Sequence, residues 1–403
     1  MNQLKWSRIA VFVLFTVFGL DIATWAVHIP SVQERTGVST GTLGTLLLLV
    51  GAGALLGMQT CGHMVNRWGS ARVGLFGSVA MTSSLVLPLN APSTAWLAVG
   101  LVGFGLATGI ADVAMNARAV TVEQEAGKPI MSAFHAMFSV GSVAGSLAGA
   151  ATLAAGWGMP LTAAVVCGPG VAAVAVTAPH LWSARTDTAT AGGPATGDGA
   201  VEPARKRRRL VLLGALAFLL LLTEGSAMDW SSLHAQDHLG VSKATGALAF
   251  ATFVTAMTVG RFVADPITAR KGPVWVVRYG GVVAALGLGV VVASTALPLT
   301  LVGWAIFGVG LSGALPQVFS AAGNVPGATG TDFSRVVGCG YVGLLAGPAV
   351  IGWLSELVSL NLSLLLPMAA VAAAALGAHA VAAEASPATA TEVRIESSNP
   401  CTE

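Results

Sequence analysis

Charge is scarce in this sequence: Asp, Glu, Lys and Arg make up 9% of its 403 residues, against about 25% in soluble domains. With 54% of the residues hydrophobic, a soluble chain of this size could not hide its apolar surface. The four cysteines, Cys61, Cys167, Cys339 and Cys401, form no CxxC pair. Three lie in or beside apolar runs, so neither a disulfide framework nor a zinc site organises the chain. There is no GxxxxGK[ST] loop to drive a primary pump, and no DDxxD-like acid cluster to hold a metal-diphosphate. A membrane enzyme such as a prenyl or glycosyl transferase therefore lacks its expected residues. A non-transporting sensor lacks a long soluble domain. The net charge of +2 says nothing for nucleic acid as a partner, and no cofactor or metal is expected.

What is present is a series of apolar runs, each about 20 residues long, enough to cross a bilayer as helices. The 50 glycines suit close helix packing in lipid. Twelve helices are expected near 8–29, 41–64, 71–90, 94–118, 131–155, 159–181, 209–234, 243–265, 273–295, 297–320, 333–357 and 361–382. The first run has no small-residue cleavage site after it and continues through Trp25 to Pro30, so it reads as a transmembrane helix and not a signal peptide. The expected fold is all-α: a six-helix bundle over 1–182, a disordered linker over 183–208, a second bundle over 209–382, and a polar tail over 383–403.

Of the 20 Lys and Arg residues, only Arg35 and Lys243 fall on the far side if both termini are cytoplasmic. The basic run 204–209 adds to this bias, which sets the orientation in a plasma or inner membrane. The halves also repeat. At an offset of 203, Gly37-Val38-Ser39 meets Gly240-Val241-Ser242, Gly57 meets Gly260, Gly69 meets Gly272, and Phe104-Gly105 meets Phe307-Gly308. At 202, Gly141 and Gly145 meet Gly343 and Gly347. Two six-helix halves in parallel repeat bind substrate between them near the midplane.

Acids inside lipid cost about 2.5–3.5 kcal/mol each. Asp21 lies roughly 20 Å into the first helix at 1.5 Å per residue, and Glu224 occupies the equivalent position in the seventh. With no cation expected at that depth, each can take up and release a proton, so this pair is the candidate for proton coupling. A permanently protonated structural acid is the alternative. Asp21, Trp25 and His28 share one helix face, as do Thr108, Asp112 and Asn116. Such stripes should face a water-filled cavity. His135, Asp229, Trp230, Gln317 and Tyr341 are further cavity candidates, although Asp229 and Trp230 also suit an interfacial role and His135 a structural one.

Two short segments between helices carry glycines and cations. The first contains Gly62, Asn66, Arg67, Gly69 and Arg72; the second contains Gly260, Arg261, Asp265, Arg270 and Gly272. Both read as cytoplasmic gating loops, with cations pairing to carboxylates or helix C-termini. The first resembles the GxxxDRxGRR signature of the major facilitator superfamily, with Asn66 in place of the usual Asp. Longer stretches are similar to the YbjJ-like branch near the fucose-permease group: Trp25-Ala26-Val27-His28-Ile29-Pro30, Asp112 to Ala117, Glu224 through Asp229-Trp230, and Gly347-Pro348 with Ile351-Gly352. Helix five carries Gly141, Gly145 and Gly149 but lacks the proline of the drug-antiporter signature. The resemblance implies a monomeric, proton-coupled carrier of a small organic solute working by alternating access. Export is the expected direction, by analogy with efflux members; uptake of a sugar-like solute is the alternative.

Overall fold

The computed structural model describes residues 2–182 and 203–383. Most of the expected linker and the tail from residue 384 lie outside the described residues. Twelve helices are long and apolar enough to cross a membrane. They are α1 Gln3–Thr36, α2 Thr45–Trp68, α3 Ser70–Leu89, α4 Thr94–Ala126, α5 Met131–Ala154, α6 Met159–Leu181, α7 Pro203–Leu239, α8 Thr245–Lys271, α9 Pro273–Ala293, α10 Leu297–Gly323, α11 Gly330–Leu357 and α12 Leu360–Val381. No strand occurs among the described residues. The end of the molecule where α6 stops and α7 starts is called the linker end below.

Several helices run further than hydropathy suggests. α2 continues to Trp68 and α8 to Lys271, so the two expected loops shrink to single glycines, Gly69 at φ 83° and Gly272 at φ 82°. Only glycine adopts that backbone without strain. Of the residues read as gating loops, Gly62, Asn66, Arg67, Arg72, Gly260, Arg261, Asp265 and Arg270 are all helical, and Asn66, Arg67 and Arg270 lie beyond the helix ends expected from hydropathy. Residues 203–208, expected in the linker, form the start of α7. There Lys206 pairs with Asp332 at 2.8 Å and donates to the Gly327 carbonyl at 2.6 Å. The basic run thus docks on the start of α11.

The repeat is visible in the packing. A Cβ on Gly141 would lie 1.9 Å from the Thr16 carbonyl oxygen, and one on Gly343 would lie 2.2 Å from that of Phe218. Gly145 meets Leu20 as Gly347 meets Leu222, at 2.3 and 2.5 Å. These contacts seat α1 on α5 and α7 on α11 at backbone distance, which no residue but glycine permits. Between the halves, α2 packs on α11 and α5 on α8, with α4 against α10. At both far-end turns a serine caps the next helix: Ser39 accepts from Thr42 N and Ser242 from Thr245 N, each at 3.2 Å.

Candidate functional site

The hydrogen bonds that cross between the halves, among the described residues, gather toward the linker end. On the α2–α11 seam, the Gly330 backbone N–H donates to Asn66 Oδ1 at 2.6 Å, and Asn66 Nδ2 donates to Thr331 Oγ1 at 3.0 Å. Asn66 thereby caps the start of α11 from the opposite half. One turn earlier, Gly62 has no side chain for a reason: a Cβ there would lie 2.6 Å from both Thr331 Cα and Ser334 Oγ.

On the α5–α8 seam the joining group is a carboxylate. Asp265 of α8 accepts from Ser132 N at 3.0 Å and from Ala133 N at 2.7 Å, at the start of α5. Glu123, at the end of α4, accepts from Ile130 N and Met131 N, both at 2.8 Å, and also from Ser320 Oγ of α10. All four donors of this turn are satisfied by acids, where the helix dipole favours negative charge. Gln124 Nε2 adds a bond to Asn324 Oδ1 at 2.9 Å.

Further from the linker end sits a buried polar cluster drawn from both halves. The Arg261 side chain is 5% exposed and pairs through Nη2 with Glu224 Oε1 at 3.2 Å. Its Nη1 donates to Ser139 Oγ of α5 at 3.0 Å. His135, one turn before Ser139, lies within the field of Arg261 and meets the Phe15 ring edge-on at 5.2 Å. Tyr341 of α11 faces the Asp112 carboxylate of α4 and lies within the field of Glu224. Asn116 Nδ2 donates to the Asp112 carbonyl at 3.0 Å. Asn116 Oδ1, His135 Nε2, Arg261 Nε and Gln317 Nε2 are buried without a hydrogen-bond partner. Buried polar atoms left in this state cost stability, and they are what a polar solute would satisfy.

Of the expected cavity residues, Asp112, Asn116, His135 and Tyr341 come together with Glu224. Others do not. Asp21 is fully buried and accepts from Thr82 Oγ1 of α3 at 2.6 Å, inside the first half. Trp25 packs on Phe104 of α4, ring centroids 6.5 Å apart. His28 bonds the Thr24 carbonyl at 2.7 Å and Thr152 Oγ1 of α5 at 3.4 Å. The Asp21 stripe therefore faces neighbouring helices of its own half, with Asp21 Oδ1 left buried without a hydrogen-bond partner. Thr108 Oγ1 bonds back to the Phe104 carbonyl at 2.7 Å. Trp230 Nε1 donates to the Pro348 carbonyl of α11 at 3.1 Å, and Asp229 is exposed.

Two sequence expectations need correction. A cation does lie at the depth of Glu224: Arg261, ten residues before the end of α8, pairs with it. Asp21 and Glu224, though equivalent in the repeat, have different partners and form no single site. An apolar groove of 190 Å³ between α8, α9 and α10, lined in part by Trp275 and Tyr279, carries no acid or base and lies apart from this cluster.

Residues 10–348 match the Major Facilitator Superfamily. The chain belongs to that family. It is 33% identical over 361 residues to an uncharacterised MFS-type transporter of Yersinia pestis, covering 89% of this chain and 91% of the relative. It is 31% identical to the membrane protein MosC of Rhizobium meliloti, with 90% and 86% covered. Among solved structures it shares its fold with the transporter FucP in the outward conformation, at TM-score 0.78 and 13% identity, over 93% of this chain and 98% of that one. A second structure of FucP, at TM-score 0.76 and 13% identity over the same shares, is described as the E. coli fucose:proton symporter. As a member of the family, the protein is a multi-pass membrane transporter, a class that carries small solutes across the bilayer.

Proposed function

We propose that this transporter is a proton-coupled carrier of a small polar organic solute that works by alternating access. The observation that carries the reading is the cluster of Asp112, His135, Glu224, Arg261 and Tyr341, built from both halves and placed beside the cross-half seams. A solute or proton bound there touches both moving bodies at once, which alternating access requires. Intramembrane acids that serve no lipid-facing purpose are the natural carriers of the proton. Asp21, buried beside Thr82, is the second proton candidate. The linker end is read as cytoplasmic, in keeping with the distribution of Lys and Arg. With its seams closed there, the linker end of the carrier is shut.

Export is the direction carried forward from the sequence. Uptake is the second reading, favoured by the shared fold with a fucose:proton symporter and by a lining of Asp, Asn, His and Tyr that suits hydroxyl groups. Purified protein in liposomes, given a panel of labelled solutes and an imposed pH gradient, tests all of this. Solute accumulation with the proton gradient identifies symport, and accumulation against it identifies exchange. If no solute movement responds to the gradient, proton coupling is wrong. Orientation has its own check: a cysteine placed at residue 190 should resist an impermeant reagent in intact cells.

A further inference from the structure

The apolar groove between α8, α9 and α10 takes no part in the polar cluster, and its position says what meets it. α9 packs on α8, α10 and α12 of its own half, which puts it on the perimeter of the bundle. The side chains along the groove are open to that outside: Tyr279 is 49% exposed and Val309 48%. All three helices are long and apolar enough to span a membrane, so in a bilayer this surface faces lipid. On α9 the groove runs from Trp275 to Val283, about 12 Å at 1.5 Å per residue. One leaflet's hydrocarbon is about 15 Å deep, so the groove follows most of the path of an acyl chain.

Its base is backbone. A Cβ on Gly280 would lie 2.6 Å from the Gly310 carbonyl oxygen, and one on Gly313 would lie 2.8 Å from Val276 Cγ1. α9 and α10 therefore meet without side chains between them, which leaves a channel above. In the first half the equivalent of Gly313 is Ile110, whose Cγ2 would lie 3.2 Å from a Cβ on Gly77. A branched side chain stands there in the place of bare glycine.

The mouth of the groove is at the linker end, where α8 stops and α9 starts. Arg270 and Lys271 are the last residues of α8, and Arg278 precedes Tyr279 on α9. No Asp or Glu occurs between Asp265 and Asp332, and Asp265 is turned toward α5. The mouth is thus basic, with no acid of its own to neutralise it. Trp275 and Tyr279 pack on each other beside it, ring centroids 4.8 Å apart, and such rings settle at headgroup level.

We propose that this groove holds one acyl chain of an anionic phospholipid from the leaflet at the linker end, with the headgroup phosphate drawn by Arg270, Lys271 and Arg278. The apolar channel alone does not choose between headgroups; the cations do. Basic stems lie along apolar surface while their heads reach the interface, and basic sites between membrane helices bind anionic headgroups. A symmetric contact with a second copy of the chain would instead set these cations against their own copies. The site depends neither on proton coupling nor on the direction of transport.

The test is photocrosslinking of the full chain in phosphatidylcholine liposomes. These carry a trace of phospholipid with a diazirine on its acyl chain and either a phosphatidylglycerol or a phosphatidylcholine headgroup. Adducts are mapped by peptide mass spectrometry. The phosphatidylglycerol probe should label Val263, Ile267 or Tyr279 in excess over the phosphatidylcholine probe. Lys271→Gln and Arg278→Gln should each cut that excess by about fivefold. Val309→Trp, which fills the groove from an exposed position, should remove labelling there by both probes. Labelling at Thr60 and Phe76, the first-half equivalents of Val263 and Tyr279, should stay constant in every variant and reports that the protein is folded and inserted.

Equal labelling of the groove by the two probes in the parent overturns the proposal. So does an excess that survives when Lys271→Gln and Arg278→Gln are combined. Groove labelling that falls as the protein-to-lipid ratio rises, with Thr60 and Phe76 steady, would assign the groove to a second copy and also overturn it.

Discussion

The two seams between the halves are formed by equivalent helices but closed by different chemistry. On α5–α8, the carboxylate of Asp265 takes two backbone donors at the start of α5. On α2–α11, the equivalent position at the 203 offset is Gly62, and the helices touch there with no side chain between them. The cap is supplied one turn later by Asn66, whose own equivalent is Ala269. One seam is thus held by charge and the other by close contact plus a neutral amide. Charge-assisted bonds respond to ionisation nearby, whereas backbone contact responds only to shape.

The largest effect is expected from breaking the shape-closed seam. Gly62→Val places its branched side chain against the Thr331 backbone, and overpacking of this kind costs about 1–3 kcal/mol or more. Transport should fall by roughly 100-fold, and a cysteine at Ser334 should become reactive from the linker side. A variant that transports within twofold of the parent would show that the seam does not need this contact. Next is Asp265→Asn, which trades hydrogen bonds to a charged group, each worth about 1.5–3 kcal/mol, for weaker neutral ones. The closed population should drop by roughly tenfold, read as faster labelling at the start of α5.

A smaller change comes from the neutral seam. Asn66→Ala removes a cap worth about 1 kcal/mol, a shift of roughly fivefold toward opening in the same labelling assay. Asn66→Asp sharpens the comparison by making both seams charged. It should stabilise closure by about 0.3–1 kcal/mol through the α11 dipole, so labelling should slow. If Asn66→Asp opens the seam instead, charge at this site is not the relevant variable. The smallest effect is expected at Arg67, which is exposed and lies over the Trp68 ring at 5.9 Å. Arg67→Ala should change stability by no more than about 0.5 kcal/mol and leave transport within twofold.

Much of this was legible in the residues. Twelve apolar runs foretell twelve helices, and the glycines matched at the 202 offset, Gly141 with Gly343 and Gly145 with Gly347, prove to be the ones that seat α5 on α1 and α11 on α7. The helix ends were harder to read, because hydropathy falls where a helix leaves the hydrocarbon while its hydrogen bonding continues. That is why Arg67 and Arg270 fell beyond the expected helix ends. Equivalence of Asp21 and Glu224 was also a true signal of register and a poor one of environment. The partner of Asp21 is Thr82, whose equivalent is Ala285, and the partner of Glu224 is Arg261, whose equivalent is Met58. A repeat preserves backbone placement, but each side-chain partner is a separate choice that no periodicity records. The pairing of Asp265 with the start of α5 spans more than a hundred residues and leaves no local pattern to find.

The four donors at the start of α5 have a bearing on solvent. Glu123 travels with α5 and keeps its two, but when the seam parts the other two lose Asp265. Backbone N–H groups are not left empty at a protein surface, so water must arrive there, and at the bared carboxylate as well. Opening is therefore a hydration reaction as much as a movement. Osmolytes excluded from protein surfaces, such as sucrose, should hold the carrier closed at the linker end. Their effect should fade in Asp265→Ala, where less water is needed to complete the step.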